Sequence, residues 1–549
     1  MVMNMKRRII SILLCFILIA AVFAGCGNSN NYIDIIYPFG GNVNSYDPQI
    51  ASTSDEFMII ENTFEGLVRC DDEGNITPGC AESWQVTEAG LKYTFHLYRG
   101  LKWHIFKSVQ NRMGEHYDPE LTAFDFAFAL KRAADPLTES PLYSTISNIY
   151  NAPEVHAGWI DKSQLGVKAI DNYTLEIMLS KPDDGFLRTL STAVAMPCNE
   201  EFFNKTNGRY GLGLQYIMFN GQFRVTDELD HSYVLKSSCG AEGSYQGPTK
   251  AKATNITFTI VDDDESLVEK LKSGYYDAAY IRGYESTEIS EKSGINLIPY
   301  SNTTWAFLLN SRNGILSSTN ARKAISLALS EINYEDFPYL EKAKGFIPPS
   351  CTIGNTSYTE ATQDITEKAN ASNAVSLWKK AVEATSIYDI ELTVLAPENM
   401  ENEAKLLLQG IQSSIGSISN AEEDKKISFS LKLETKPESE IKSAVNSGNY
   451  DIALYPLTAT ASSPVSFLKS FTDNNVTGFD ESKFTAALVN AQSANTAAAC
   501  LNCEKKLLDT HCYLPLFYES RYYATAKGVS GVQFHPGSGR VSFVNTDRK

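Results

Sequence analysis

The sequence predicts an α/β protein that is built from more than one domain. Segments with the alternating apolar pattern of strands are interleaved with segments of helical periodicity in both halves of the chain. At 549 residues, the chain is also too long for a single hydrophobic core. Its 43% of hydrophobic and 11% of aromatic residues are sufficient to fill several cores.

The first half of the chain alternates between the two patterns. Apolar residues alternate over residues 33–37, 91–97, 173–179 and 255–261, which predicts four strands. An apolar stripe predicts a helix over residues 56–67, and its members are Phe57, Ile60, Phe64 and Leu67. A second helix is expected over residues 121–134, ended by Asp135 and a proline, and a third over residues 265–273, ended by Gly274.

The second half continues the alternation. Helical periodicity predicts helices over residues 321–330, 371–383, 401–413 and 481–508. Alternating apolar residues predict strands over residues 390–395 and 427–434. Repeats of the length found in solenoid proteins are not evident, so we expect a globular α/β architecture.

The N-terminus indicates export and lipidation. Three basic residues, an apolar run over residues 9–22 and the sequence Phe23-Ala-Gly-Cys26 resemble a lipoprotein signal. We therefore expect residues 1–25 to be removed, Cys26 to carry the lipid, and the protein to be anchored to the outer face of the cell membrane. The alternatives are an uncleaved anchor, although the run is shorter than the ~20 residues that span a bilayer, and an ordinary secretory signal.

Charge and cysteines limit the possible partners. The net charge of -17 argues against nucleic acid as a partner. Eight cysteines follow Cys26, and an exported protein permits disulfides among them, of which Cys70–Cys80 is the most plausible local bridge. A zinc site is conceivable on paper, but the helical pattern of that segment favours small core residues, and we expect no metal. The residues of that conceivable site are Cys500, Cys503, His511 and Cys512.

The sequence contains no motif of a known catalytic centre. G-x-S-x-G, H-E-x-x-H and G-x-x-x-x-G-K-[ST] are all missing, and the seven histidines are scattered without ligand spacing. We therefore expect a binding protein with no catalytic residue and no cofactor. A secreted hydrolase would require an activated nucleophile or a carboxylate pair.

Several motifs, in order, resemble the peptide/nickel-type solute-binding proteins of ABC importers, and more specifically their oligopeptide-binding branch. The segments are SYDPQ (45–49), FEGLVRCDDEGNITPGCAESW (64–84), LGVKAIDNYTLEIMLSKP (165–182), FNGQFRV (219–225), ITFTIVDDDESLVEKLKSGYYDAA (256–279), NARKAISLALS (320–330) and LPLFYESRYY (514–523). Each motif alone is weak evidence, and the resemblance rests on the order and spacing of the motifs across nearly the whole mature chain.

The resemblance implies a two-lobed, three-domain periplasmic-binding-protein-like fold with a hinge between the lobes. Lobe one would consist of residues 26–64, 195–299 and 513–549, with an inserted domain over 65–194 and lobe two over 300–512. It also implies a monomer that closes around a peptide-like ligand and delivers it to an ABC permease. Two alternatives keep the same fold: a receptor for an oligosaccharide or metal chelate, and a surface lipoprotein without a transport role.

The resemblance also implies ligand-binding positions. They are Ser52, Thr53, Ser54, Leu142, Tyr143, Tyr280, Arg282, Tyr455, Leu457, Thr460, Phe517 and Tyr518. Arg282 could receive a ligand carboxylate through a bidentate pair, or it could be a solvated surface arginine. For the aromatic residues the alternative is core packing.

Thr460 marks a departure from the family. It stands where oligopeptide receptors have an aspartate that binds the peptide amine, and a hydroxyl cannot neutralise a buried ammonium. The ligand would then be a modified peptide, a different solute, or a peptide whose amine meets another acid. A degenerate cleft is a further alternative.

Overall fold

We analysed a computed structural model of the chain. The structure describes residues 32–71, 75–183, 185–239, 247–261, 266–354, 356–418, 427–459, 462–473, 475–494, 496–535 and 540–549. Cys26 with its predicted signal, and Thr460, lie outside the described residues. Within the described ranges, no helix is both long enough and apolar enough to cross a membrane.

The first lobe is organised around a four-stranded sheet. Its strands, in spatial order, are Asp34–Phe39, Asn255–Ile260, Ser232–Ser237 and Phe223–Leu229. The first two strands are parallel, although more than 200 residues separate them in sequence. This pairing shows that the lobe is assembled from distant parts of the chain.

A second four-stranded sheet lies within the range predicted for the inserted domain. It is antiparallel throughout, with the order Ala81–Thr87, Lys92–Leu97, Thr174–Met178 and Val167–Asp171. Tyr93, Phe95 and Leu97 alternate inward along the second strand. They share one continuous apolar core with the first lobe.

The second lobe contains most of a seven-stranded sheet. Six strands follow the order Ala278–Ile281, Tyr513–Thr525, Asn296–Leu309, Ile452–Thr458, Asp389–Pro397 and Ser428–Lys436, and Leu340–Lys342 pairs with the second of them. The last three are mutually parallel, and their intervening helices are Glu401–Ser414 and Glu438–Ser447. This lobe is therefore a doubly covered α/β layer, with apolar cores on both faces.

The remaining short strands form two-stranded pairs. These pairs are Val68–Cys70 with Ile76–Pro78, Thr352–Ile353 with Thr356–Ser357, Val529–Ser530 with Asp547–Arg548, and Gln533–His535 with Arg540–Ser542. The other α-helices are Ser54–Thr63, Lys107–Met113, Ala123–Ala134, Tyr143–Ile146, Ala152–His156, Phe186–Thr189, Glu200–Lys205, Leu267–Ser273, Gly283–Ser286, Thr319–Ala328, Tyr358–Ala361, Ala371–Thr385, Pro464–Asp473, Ser482–Ala494 and Ala497–Leu508.

Two predicted helices have different limits in the structure. The helix expected over residues 56–67 ends at Thr63, because Phe64 adopts an extended conformation and caps the carbonyl of Ile60. The helix expected over residues 481–508 is two helices, and the Thr496 side chain caps the second one by accepting from the Ala499 N–H. In both cases the apolar residues after the break remain buried, so the periodicity alone conceals the break.

The predicted Cys70–Cys80 bridge is wrong. All eight cysteines after Cys26 are free thiols. Cys70 pairs with Ile76 across a hairpin, whereas Cys80 lies beyond that hairpin with its thiol 3.4 Å from the carbonyl oxygen of Glu65. Cys500 and Cys503 are fully buried in the core of the second lobe, as predicted for small core residues.

Two of the sequence motifs contact each other in lobe one and join distant segments of the chain. The Glu65 N–H donates to Oδ1 of Asn220 (3.1 Å), and Nδ2 of Asn220 donates to the Glu65 carbonyl oxygen (2.8 Å). Gly221 lies so close to Thr63 that a Cβ there would be 2.5 Å from its carbonyl carbon. FEG and FNGQF are therefore two sides of one backbone junction, which explains the glycine of the second motif.

Candidate functional site

Two long strands connect the lobes. Strand Asn296–Leu309 begins in the first lobe, where Tyr300 is buried, and continues into the second lobe, where Trp305 is buried. Strand Tyr513–Thr525 runs beside it in the opposite direction, from Phe517 in the second core to Tyr523 in the first. Since both strands cross between separate cores, any relative movement of the lobes has to bend them.

The pairing of these strands is interrupted where they cross. The register shifts between Tyr300, which opposes Arg521, and Thr303, which opposes Glu519. This irregularity lies between the two cores and marks the crossing. The predicted domain boundaries at residues 300 and 513 stay a prediction, and the packing of Tyr513 in the second lobe favours a later crossing on the returning strand.

Glu519 is the buried charge at the crossing, with only 3% of its side chain exposed. Its Oε2 accepts from Nε1 of Trp305 (2.9 Å) and from Nε and Nη2 of Arg521 (both 3.2 Å). Its Oε1 is 3.5 Å from Nε of Arg282. Burial is the largest single influence on the pKa of Arg521 and would lower it, but Glu519 and Tyr280 together outweigh burial and raise the pKa. The carboxylate therefore organises cations from both sides of the crossing.

Arg282 also reaches a carboxylate of the second lobe. It follows strand Ala278–Ile281, and its Nη1 donates to Oε2 of Glu438 (2.9 Å). Burial alone would lower the pKa of Arg282, but Glu519 and Glu438 together raise it. The guanidinium is thus held between two carboxylates of the protein, and a ligand carboxylate would have to compete with them.

A cavity of about 270 Å³ lies beside this ion pair. It is found at the carboxyl ends of parallel strands Asp389–Pro397 and Ile452–Thr458, where α/β sheets commonly bind ligands. It is lined by Pro397, Glu438, Ser439, Ile441, Lys442, Leu454, Tyr455 and Pro456. Glu438 therefore connects two predicted residues, because it pairs with Arg282 and lines the cavity together with Tyr455.

Tyr280 belongs to an aromatic group at the first-lobe end of the crossing. Its ring lies edge-on to Tyr300 with centroids 5.8 Å apart, and the Arg521 guanidinium is 5.9 Å from it. Tyr523 stacks on Phe534 at 4.6 Å in the same group. These side chains make a rigid base from which the long strands leave lobe one.

The predicted segment Ser52–Ser54 begins the first long helix of lobe one. Oε2 of Glu56 accepts from the backbone N–H of Ser52 (2.7 Å) and of Thr53 (3.0 Å), and Oε1 accepts from Asn44 and Ser45. Burial acts to raise the pKa of Glu56, but these backbone donors outweigh it and lower the pKa. Ligand pairing by this segment stays a prediction, and it would have to use groups other than these two amides.

The other predicted positions are dispersed. Tyr143 stacks face to face on His156 in the inserted domain, with Leu142 just before its helix. Leu457 pairs with Thr304 in the large sheet, near the end of its strand. Phe517 and Tyr518 are buried to 0% and 1% exposure, so they have almost no surface for a ligand in this conformation. The ligand role of all these residues stays a prediction.

Sequence reasoning missed Glu438 and Glu519. Glu519 interrupts an aromatic strand in LPLFYESRYY, and a charge in such a run is a detectable signal. Glu438 lies at the polar start of a helix, where acidic residues are common, so nothing in the sequence distinguishes it.

The geometry agrees with comparisons to known proteins. Residues 75–479 match the family described as bacterial extracellular solute-binding proteins, family 5. The chain belongs to this family. The members of family 5 are binding proteins rather than enzymes, and the predicted relationship is confirmed.

Curated relatives and solved structures agree with this membership. The chain is 23% identical to the dipeptide-binding protein DppE of Bacillus subtilis, covering 90% of the chain and 88% of the relative. It is 24% identical to the oligopeptide-binding protein OppA of Bacillus subtilis, covering 98% and 99%.

Among solved structures, the chain is similar to the substrate-binding domain of an oligopeptide ABC transporter from Bacillus anthracis, with a TM-score of 0.72, 22% identity and coverage of 94% and 98%. Peptide-bound OppA of Listeria monocytogenes gives a TM-score of 0.72 at 20% identity, covering 95% and 100%. The predicted two-lobed, three-domain fold of this family 5 protein is confirmed.

Proposed function

We propose that this family 5 protein captures a peptide between its lobes and delivers it to an ABC importer. The observation that carries the proposal is the pair of long strands that cross between two separate cores beside a polar, cavity-containing junction. Two bodies joined in this way can close around a ligand by bending at the crossing. Relatives named for dipeptides and oligopeptides support peptides as the ligand class.

The ligand is proposed to be anchored differently from an ordinary peptide with a free amine. Thr460 cannot supply the carboxylate that neutralises an ammonium. Glu438 has 39% of its side chain exposed beside the cavity, but Arg282 already neutralises it. A blocked or modified peptide therefore suits the junction better than a peptide that needs a dedicated acid.

Ligand recovered with the protein tests both statements. We expect mass spectrometry of protein purified from its own host to find peptides that lack a free α-amine. Recovery of ordinary short peptides would contradict the role assigned to Thr460. Recovery of a non-peptide solute in stoichiometric amount would contradict the proposed ligand class.

We further propose that the protein acts as a monomer without catalytic activity, anchored at the outer face of the membrane through Cys26. The lipoprotein-like signal supports this anchoring. Labelling of cells with a clickable fatty acid should mark the wild-type chain and leave Cys26→Ser unlabelled. Equal labelling of the two chains would contradict lipidation at Cys26. Peptides recovered intact after incubation with the protein would agree with capture alone.

A further inference from the structure

Arg282 lies at the boundary of two bodies. The strand before it packs in the first lobe, where Ala279 and Ile281 share a small buried cluster with Ala524. The short helix after it begins at Gly283, where a Cβ would lie 2.4 Å from the Ser520 carbonyl oxygen. The backbone before the guanidinium is therefore fixed to the first lobe, and the backbone after it lies against the crossing strand and against Tyr339, to whose Cβ a Cβ at Gly283 would be equally close (2.4 Å).

The two carboxylates that hold Arg282 differ in attachment and burial. Glu519 is part of the crossing strand and is 3% exposed, and Trp305 and Arg521 hold it independently of Arg282. Glu438 begins helix Glu438–Ser447, whose Ile441 packs in the second lobe, and is 39% exposed. One arm of the ion pair is therefore internal to the crossing, and the other spans the two lobes.

We infer that Arg282 and Glu438 form a latch between the lobes, in which Glu519 retains the guanidinium while the Glu438 arm breaks on opening and re-forms on closure. A buried pair is costly to separate, whereas an exposed pair contributes little free energy. Because Glu519 remains beside Arg282, opening leaves no isolated buried charge. The arm that breaks is the weak one, so the latch biases closure without preventing release.

The latch gives Arg282 a role different from anchoring a ligand carboxylate. A contact that exists only in the closed state changes ligand affinity by shifting the open–closed equilibrium. It therefore acts equally on all ligands that require closure, whatever their terminal groups. An anchor for a ligand carboxylate would instead distinguish acids from amides.

The first experiment needs no ligand. Small-angle scattering of the ligand-free full chain should show a larger radius of gyration for Glu438→Gln than for wild type at an ionic strength of about 0.01 M. Raising it to about 1 M, where charges are screened within about 3 Å, should expand wild type and leave the variant unchanged. Glu440→Gln, an equal charge change at an exposed position of the same helix, is the matched control and should behave as wild type.

The second experiment uses N-acetyl-trialanine and N-acetyl-trialanine amide as probes, which lack a free α-amine, and its interpretation rests on the proposed function. Glu438→Gln should raise the dissociation rate of both probes by about two- to fivefold, the range expected for an exposed ion pair. In an Arg282→Gln background, Glu438→Gln should have no further effect, because the latch is already broken. Circular dichroism establishes that each variant is folded.

The outcomes of the two experiments test the latch and the proposed function separately. Identical radii for wild type and Glu438→Gln at both ionic strengths would overturn the latch. So would tighter binding of N-acetyl-trialanine, but not of its amide, by Glu438→Gln, because this would identify Arg282 as a carboxylate anchor. If neither probe binds, the proposed capture of amine-blocked peptides is contradicted, while the ligand-free scattering still decides the latch.

Discussion

The crossing between the lobes and the core of the second lobe each bury a glutamate, but they hold it in different ways. Glu519 at the crossing is paired with the guanidinium groups of Arg521 and Arg282. Among the described residues, Glu504 in the second core accepts only from neutral donors: the N–H groups of Phe346 and Ile347 (2.8 and 3.0 Å) and the hydroxyl of Tyr358 (2.5 Å).

The glutamate at the crossing is part of charged ion pairs, whereas the glutamate in the second core can gain or lose a proton. Burial raises the pKa of Glu504 to about 7, against the opposing effect of its hydrogen bonds. Neutral donors favour a carboxylate but can also bond to the oxygen of a protonated carboxyl or an amide, whereas paired arginines require a negative charge. Glu519 therefore fixes charges between the lobes, whereas Glu504 fixes a loop within one lobe.

The largest effect is expected at the crossing. Glu519→Gln should lower the free energy of unfolding by about 3–5 kcal/mol, because Arg521 and Arg282 lose their buried counter-charge. Urea unfolding followed by circular dichroism measures the loss. Lys162→Gln, which breaks the more exposed pair with Asp135, is the control and should cost less than about 1 kcal/mol. Similar losses for the two variants would show that the crossing does not depend on its charge.

The same substitution should be mild in the second core. Glu504→Gln preserves an acceptor for both backbone N–H groups and should cost about 1 kcal/mol or less at neutral pH, whereas Glu504→Ala leaves these donors and Tyr358 unsatisfied and should cost about 3 kcal/mol or more. Chemical unfolding of both variants measures the contrast. A Glu504→Gln loss as large as that of Glu519→Gln would remove the distinction between the two sites.

Stability should respond to pH through Glu504. Its folded-state pKa of about 7 lies above the usual value of 4.5, so the native state binds a proton that the unfolded chain has lost between these values. The stabilisation that Glu504 contributes is therefore complete below about pH 4.5 and declines as pH rises to about 7. Relative to Glu504→Gln, wild type should lose up to about 3 kcal/mol over this range.

The difference in unfolding free energy between wild type and Glu504→Gln cancels the titration of other groups. One of these groups is Asp125, because burial raises its pKa to about 6. Unfolding of both proteins at a series of pH values supplies the measurement. A constant difference across the series would mean that Glu504 ionises normally.

The smallest effect concerns a carboxylate held by backbone donors. Thr53→Ala removes the side chain that accepts from the Glu56 N–H (3.1 Å) and should cost about 1 kcal/mol. Thermal unfolding measures it, with Ser52→Ala as the neighbouring control. Equal, negligible effects would show that Glu56 alone organises this turn. A loss as large as that of Glu504→Ala would show that this cap stabilises the fold as strongly as the buried carboxyl of the second core.

Much of the fold could be predicted because periodicity reports local burial. The strand over residues 255–261 and the helix over residues 121–134 are confirmed within two residues at each end. The end of the first helix at Thr63 could not be predicted, because Phe64 and Leu67 continue its apolar stripe. Phe64 packs instead against Phe219, with ring centroids 5.5 Å apart, a contact across more than 150 residues of sequence.

The candidate site was less accessible to sequence reasoning. The sequence placed Arg282 near a ligand because its position matches a family motif, yet its partners Glu438 and Glu519 are 156 and 237 residues away. The Cys70–Cys80 bridge failed for a related reason, since closeness in sequence does not bring two thiols face to face.

The sequence by itself determined that this is an α/β binding protein of family 5, because alternating periods, motif order and composition are local properties of the chain. Only the tertiary structure decided what its charged residues do. The strength of an ion pair depends on its burial and on which lobe carries each partner, and neither property can be predicted from the spacing of residues in the sequence. Arg282 is therefore recognisable in the sequence as a candidate, and its place between the lobes is a product of the fold.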